Sequence, residues 1–291
     1  MSDQAESLRR RLEATKQLEA KVLAVVSGKG GVGKSNFTIN LALSLAKQNK
    51  KVLVIDLDIG MANLDILMGC TSQYTIADLI EKTLLISEIV EEGPGDIDFI
   101  AGGSELNRFV EISANQFNHF CEQIQTLQSD YAYIFFDMGA GATKDSLQFI
   151  TSADEVFLII TPEPTAITDG YAMLKHVHKE SPELEVSIVV NRMESEKEGK
   201  VIGCRMKVAA DQFLQKTVTV KGLIPDDRTV LKAVKEQKPY TLLNPNCKAA
   251  KAVNDIAGLI LHETKEADPR DRKTTNFISK FKEYFQKRQV F

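Results

Sequence analysis

The sequence predicts an α/β fold with a mostly parallel, twisted sheet covered by helices on both faces. Three observations carry that prediction. Short continuous apolar runs recur at 21–27 (KVLAVVS), 51–58 (KVLVIDLD), 97–103 (IDFIAGG), 131–137 (YAYIFFD), 155–161 (EVFLIIT), 185–191 (EVSIVVN) and 218–225 (VTVKGLIP). Stretches with helical spacing separate them, including 35–48, 113–128 with Ser113 as a cap, and 248–263. Strands that are apolar at consecutive residues are buried on both sides, as happens when crossover helices cover a parallel sheet. The third observation is that the first strand runs straight into a glycine-rich turn, GKGGVGKS at 28–35, and then into a helix.

The rest of the chain divides around this domain, which spans 21–263. Residues 1–20 read as a polar helix with a thin stripe of Ala5, Leu8 and Leu12. Residues 264–276 (TKEADPRDRKTTN) lack core formers and read as a linker. Residues 277–291 are again amphipathic. Of the 291 residues, 43% are hydrophobic and 26% charged, which fits a folded domain with a sizeable core. Net charge is −4, so attraction of the whole surface to nucleic acid or anionic lipid is not expected, and such contacts need a local basic patch. Cys70, Cys121, Cys204 and Cys247 form no C-x-x-C and read as reduced thiols; an iron–sulfur site bridging a dimer is the lesser alternative. With no apolar leader and no run of about 20 apolar residues, the expected location is cytoplasmic, or peripheral at a cytosolic membrane face.

The turn matches G-x-x-x-x-G-K-[ST] in its strand–turn–helix context. Gly28, Gly30, Gly31 and Gly33, with Val32, let backbone N–H groups turn toward phosphate oxygens, and the helix starting near Asn36 adds its dipole. Lys34 is expected at the β- and γ-phosphates and the Ser35 hydroxyl on Mg²⁺, with ATP as substrate. Two acidic motifs follow. VIDLDIGMANLD (54–65) puts Asp56 and Asp58 at a strand's carboxyl edge, where α/β sheets bind ligands. IFFDMGAG (134–141) puts Asp137 at another strand end, before a flexible loop. A strand-end acid also serves as a helix cap, so convergence of all three beside the turn is what the functional reading requires.

The second lysine, Lys29, is the informative departure. The run V-x-G-K-G-G-V-G-K-S resembles the deviant Walker A (SIMIBI-type) P-loop of the MinD/ParA group of ATPases. In that group the early lysine leaves its own loop for the nucleotide of a second subunit, which implies an ATP-dependent homodimer. The resemblance also implies that Asp58 positions the attacking water, that Asp56 lies near the Mg²⁺ shell, and that Asp137 is the Walker-B-like acid opening switch II. Met138 and Gly139 stand where Ser and Pro are frequent in the group, so the loop path is open. Asn191, and behind it Pro225 and Asp226, match segments that hold the base; a plain strand-end turn is the other reading.

The two ends narrow the resemblance. Phe277, Ile278, Phe281, Tyr284 and Phe285 fall on one side of a helical wheel, and 277–291 holds four basic residues against one acid. An aromatic face with a basic rim suits an anionic membrane interface and resembles the group's C-terminal targeting helix; the alternative is a helix packed on its own domain. DQAESLR (3–9) and IGMANLD (59–65) resemble the FlhG (YlxH) family, MinD-like ATPases that control flagellar number and placement. That likeness implies an N-terminus acting on an FlhF-type GTPase, with Gln4 at the partner's nucleotide and Leu8 as a packing contact. Flagellar switch (C-ring) proteins would be further partners. Division-site (MinD) and DNA-partitioning (ParA-type) ATPases are the alternatives. The acidic balance and the aromatic tail speak against the second, and the missing paired cysteines against an iron–sulfur carrier.

Overall fold

A computed structural model describes residues 20–58, 63–82, 84–103, 114–266 and 277–289. Gln4 and Leu8, with nearly all of the N-terminal extension, lie outside these, as do residues 267–276 of the expected linker. Eight strands form one sheet: β1 (Lys21–Ser27), β2 (Val52–Leu57), β3 (Glu91–Glu92), β4 (Ile97–Ile100), β5 (Tyr133–Ala140), β6 (Glu155–Ile160), β7 (Glu185–Met193) and β8 (Thr219–Pro225). Their order is β3-β4-β2-β5-β1-β6-β7-β8, parallel except for the short antiparallel edge β3. β3 is a pair of glutamates with no apolar run, so hydropathy gave no sign of it.

Neighbouring residues in the central strands enter opposite cores, as the unbroken apolar runs require. Val22, Ala24 and Val26 of β1 face one core with Ile134 and Phe136 of β5; Leu23 and Val25 face the other with Tyr133 and Phe135. The second core is closed by α1 (Lys34–Ala46) and α11 (Lys248–Glu266), through residues such as Phe37, Leu41, Val253 and Ile260. α11 runs to Glu266, three residues past the predicted boundary. Between β2 and β3 lie α2 (Leu64–Met68), α3 (Ile76–Glu81) and α4 (Ile86–Ile89). The first core is covered by α5 (Ala114–Asp130), α6 (Lys144–Ser152), α7 (Pro164–Glu180) and α8 (Glu196–Leu214). The short helices α9 (Arg228–Lys235) and α10 (Tyr240–Leu243) follow β8.

At the amino edge of the sheet, Glu155 is fully buried and well partnered. It meets Lys21 at 2.7 Å and Lys221 at 2.6 Å, and accepts from Ser187 at 2.6 Å. Burial pushes its pKa up, but the two lysines pull harder and hold it below the ordinary glutamate range.

The C-terminal helix, α12 (Phe277–Gln289), corrects the lipid-facing placement for this conformation. Phe277, Ile278 and Phe281 are 2%, 4% and 1% exposed, inside the first core. Phe281 packs in a tilted arrangement against Phe149 of α6 at 4.7 Å and Phe120 of α5 at 5.9 Å, and Phe277 meets Phe136 at 5.2 Å. Gln148 donates to the Phe281 carbonyl at 3.4 Å. The physical reason is plain: an aromatic stripe long enough for a bilayer surface is equally satisfied by a groove of phenylalanines. The side chains of Tyr284 and Phe285 lie outside the described residues.

Candidate nucleotide site

The site forms at the carboxyl edge of β1, β2 and β5. After Ser27 the chain turns through Gly28–Gly33, and the turn is held by the Ser27 hydroxyl donating to the Lys29 carbonyl at 2.8 Å. Gly33 has φ +94°, in the left-handed region where a side chain strains the backbone. Gly28 packs so closely on α7 that an added Cβ would lie 2.0 Å from the Asp169 carbonyl oxygen. α1 then begins at Lys34, which is buried. Its free N-terminal N–H groups and the curled loop form the anion cradle that the motif predicts.

Three acids converge on this cradle. Asp56 and Asp137 are directly paired across β2 and β5, and each is 1% exposed. Burial raises the Asp56 pKa to about 7, the nearby Asp137 adds to the rise, and backbone bonds from Asp58 and Leu64 oppose it. Asp137 is also pushed up by burial, against the pull of Lys34, Ser35 and Thr38. Thr38, one turn into α1, donates to Asp137 at 3.0 Å; it is a site contact that the sequence reading passed over because it lies beyond the motif. β2 ends at Leu57, so Asp58 lies just beyond the strand.

One strand-end assignment changes. β5 continues past Asp137 to Ala140, because Met138 is buried in the first core and pairs with Leu57. The loop after the acid therefore opens three residues later than expected. It is tied to the cradle by the Gly141 N–H donating to the Ser27 carbonyl at 3.0 Å. Gly139 runs against Asp58: an added Cβ would be 3.0 Å from its Oδ1. Asp56 also works as a cap, accepting from the N–H groups of Asn63 at 3.1 Å and Leu64 at 3.3 Å at the start of α2.

Lys29 points out of its own loop and rests on α7. Its Nζ lies 2.7 Å from Glu163 Oε2 and 3.0 Å from Thr165 Oγ1. The bond to Lys29 holds the Glu163 pKa below the ordinary range. The sequence reading missed Glu163 and Thr165, although TPEPT directly after β6 was visible. An acid in a loop says nothing of its partner until the fold brings β1 and β6 side by side.

The expected base-side residues form a braced frame. Asn191 donates from Nδ2 to the Val32 carbonyl at 2.8 Å, so its amide buttresses the loop here. Asp226 donates its N–H to the Met193 carbonyl at 2.9 Å, and Pro225 pairs with Met193 across β7 and β8. Asp226 itself is exposed.

Hard oxygen donors suit a small divalent cation. Ser35, Asp56 and Asp137 supply them, and two adjacent buried carboxylates with raised pKa values have a charge deficit that such a cation would fill.

Comparison with known proteins agrees with this geometry. Residues 20–189 match the model of an AAA domain. The chain is 32% identical over 250 residues to the antiactivator FleN of Pseudomonas aeruginosa, covering 86% of this chain and 89% of that protein. It is 34% identical over 244 residues to the flagellum site-determining protein YlxH of Helicobacter pylori, covering 83% and 82%. The septum site-determining protein MinD of Pyrococcus horikoshii, solved with Mg-ADP, superposes with a TM-score of 0.69 over 86% of this chain and 100% of that one, at 24% identity, which speaks to the fold. On the P-loop, the converging acids and these relatives, the chain belongs to the FlhG/MinD-like family of P-loop ATPases.

Proposed function

We propose that the chain is a Mg²⁺-dependent ATPase switch that dimerises on ATP and acts in flagellar number and placement. The observation that carries the switch is Lys29. A buried P-loop lysine, Lys34, already serves the cradle, while Lys29 is displaced from it and held by an exposed pair on α7. An exposed ion pair is weakened by the surrounding water and salt, so it yields readily to a stronger anion such as a partner's triphosphate. Lys34 and the loop N–H groups bind the phosphates, and Ser35, Asp56 and Asp137 would hold Mg²⁺, which neutralises phosphate charge when bound. Asp58, outside the strand and against Gly139, orients water.

The flagellar role rests on the names of the relatives and on residues 3–9. The N-terminus is proposed to raise GTP hydrolysis by an FlhF-type GTPase, with Gln4 as the acting group. A peptide of residues 1–20 tests this: stimulation should be lost in Gln4→Ala with binding retained. No stimulation by the unsubstituted peptide leaves only the general switch.

Among the described residues no helix is long and apolar enough to cross a membrane. The proposed membrane contact is therefore peripheral and requires α12 to leave its groove, since its three innermost aromatic and aliphatic residues are buried. The groove is built partly by α6, the helix that follows the Asp137 loop. Movement of that loop with nucleotide has a direct route to Phe149 and thus to Phe281. Vesicle sedimentation with anionic lipid should be greater with Mg-ATP than with ADP, and equal binding in both states would count against it.

A further inference from the structure

Met138 and Gly139, the two residues that depart from the group's usual pattern, shape the surface beside Asp58. Alternation along β5 decides what each does. Ile134, Phe136 and Met138 face the first core, where Met138 is 1% exposed. Tyr133 and Phe135 face the core on the α1 side. The same period brings Asp137 and Gly139 to the α1 side, where the cradle lies. The buried Met138 thus holds the strand in register past the acid; a serine there would leave its pocket unfilled.

Asp58 lies directly against this extension. Met138 pairs with Leu57, so the next residue of each segment, Gly139 and Asp58, are neighbours. A Cβ added to Gly139 would lie 3.0 Å from Asp58 Oδ1, 3.5 Å from its Cγ and 3.7 Å from its Cα. The Asp58 side chain therefore rests on bare backbone. Its main chain is tethered from the other side, where the Asp58 N–H donates to Asp56 Oδ1 at 2.9 Å. Backbone conformation does not call for the glycine. Gly139 belongs to β5 and, unlike Gly141 at φ +84°, is not left-handed, so any residue could adopt its backbone. What the glycine supplies is space: with a Cβ present, the carboxylate must give by a few tenths of an ångström.

We infer that Gly139 is a positioning residue for Asp58: its missing side chain sets how close to β5, and so to Asp137, the Asp58 carboxylate can lie. Gly139 has this role only if Asp58 orients the attacking water, as proposed above, so the experiment separates the two. Single-turnover hydrolysis of Mg-ATP and the dissociation constant for Mg-AMP-PNP are measured on the full chain for Gly139→Ala, Asp58→Ala and the double variant. Gly139→Ala should hydrolyse about tenfold more slowly, since a misplacement of about 1 Å costs about 100-fold. Its affinity for Mg-AMP-PNP should stay within about twofold, because the displaced group acts on the chemical step. In the Asp58→Ala background the same alanine should change nothing further, because the group it displaces is gone. Full hydrolysis in Gly139→Ala, an equal loss in both backgrounds, or a matching loss of Mg-AMP-PNP binding makes the glycine structural and overturns the inference. Met138→Ser keeps the glycine and withdraws its anchor. It should show the same Asp58-dependent loss, and it carries the test if the alanine variant does not fold. If Asp58→Ala itself hydrolyses normally, the water-orienting reading fails and the role of Gly139 falls with it.

Discussion

The two edges of the sheet bury carboxylates in opposite ways. At the amino edge Glu155 has two lysines and a serine around it, and its pKa is held down. At the carboxyl edge Asp56 and Asp137 are placed side by side, and both pKa values are pushed up. The chemistry of the residues is the same; the difference is whether the chain itself supplies enough counter-charge, since the pull of Lys34 on Asp137 does not offset the burial. Where it does, the group is part of the scaffold. Where it does not, the fold tolerates a cost that a bound cation and nucleotide would remove.

The largest effect should come from breaking the compensated edge. Glu155→Ala leaves Lys221, whose side chain is 2% exposed, with only the part-exposed Glu263 at 2.7 Å and Glu185 at 3.5 Å as counter-charge, so the cost should approach but not exceed the about 3–5 kcal/mol of a buried pair that loses one member. The melting temperature should drop steeply, and activity should be lost only with the fold. Asp137→Ala is the counterpart: turnover should fall by about 100-fold or more, as when a group acting on transition-state charge is removed, while the apo fold persists. Full turnover in Asp137→Ala would remove the acid from the site.

Acidity sharpens the comparison. A carboxyl whose folded pKa is raised destabilises the folded state as pH rises from its unfolded value, near 3.8, to its folded value, about 7 for Asp56. The ligand-free protein should therefore lose stability between about pH 5 and pH 7, and Asp56→Asn should flatten that slope and melt higher at pH 7.5. The opposite slope in the unsubstituted protein would mean that the acids are compensated after all.

What could be read from the sequence follows the same division. Seven of the strands and the nucleotide loop were legible, because burial on both faces and GKGGVGKS each have one structural solution. The ambiguous cases were those where one pattern has two. The stripe of Phe277, Ile278 and Phe281 fits lipid or protein equally, and only the groove of Phe120, Phe136 and Phe149, distant in sequence, decides for this conformation. Thr38 and Glu163 were missed for a related reason: each is an ordinary residue until the fold supplies its partner.

The tail gives a moderate effect. Phe149→Ala removes the ring that packs against Phe281 and should loosen α12. Vesicle binding without nucleotide should rise a few-fold, at a stability cost of about 3–5 kcal/mol. Unchanged binding would leave α12 as a structural element only. The smallest effect belongs to Glu163→Gln, which frees Lys29 from an exposed pair. It should shift ATP-dependent dimerisation by no more than about fivefold, in the favourable direction; weaker dimerisation would mean that Glu163 also acts across the interface.

The measurement that bears most directly on the switch is solution mass by light scattering, with saturating Mg-ATP. Asp58→Ala, expected to bind ATP without hydrolysing it, should double from the 32.3 kDa of one chain, and the double variant Lys29→Ala/Asp58→Ala should stay at one chain. If Asp58→Ala stays single, or if both variants double alike, the cross-subunit role of Lys29 is contradicted.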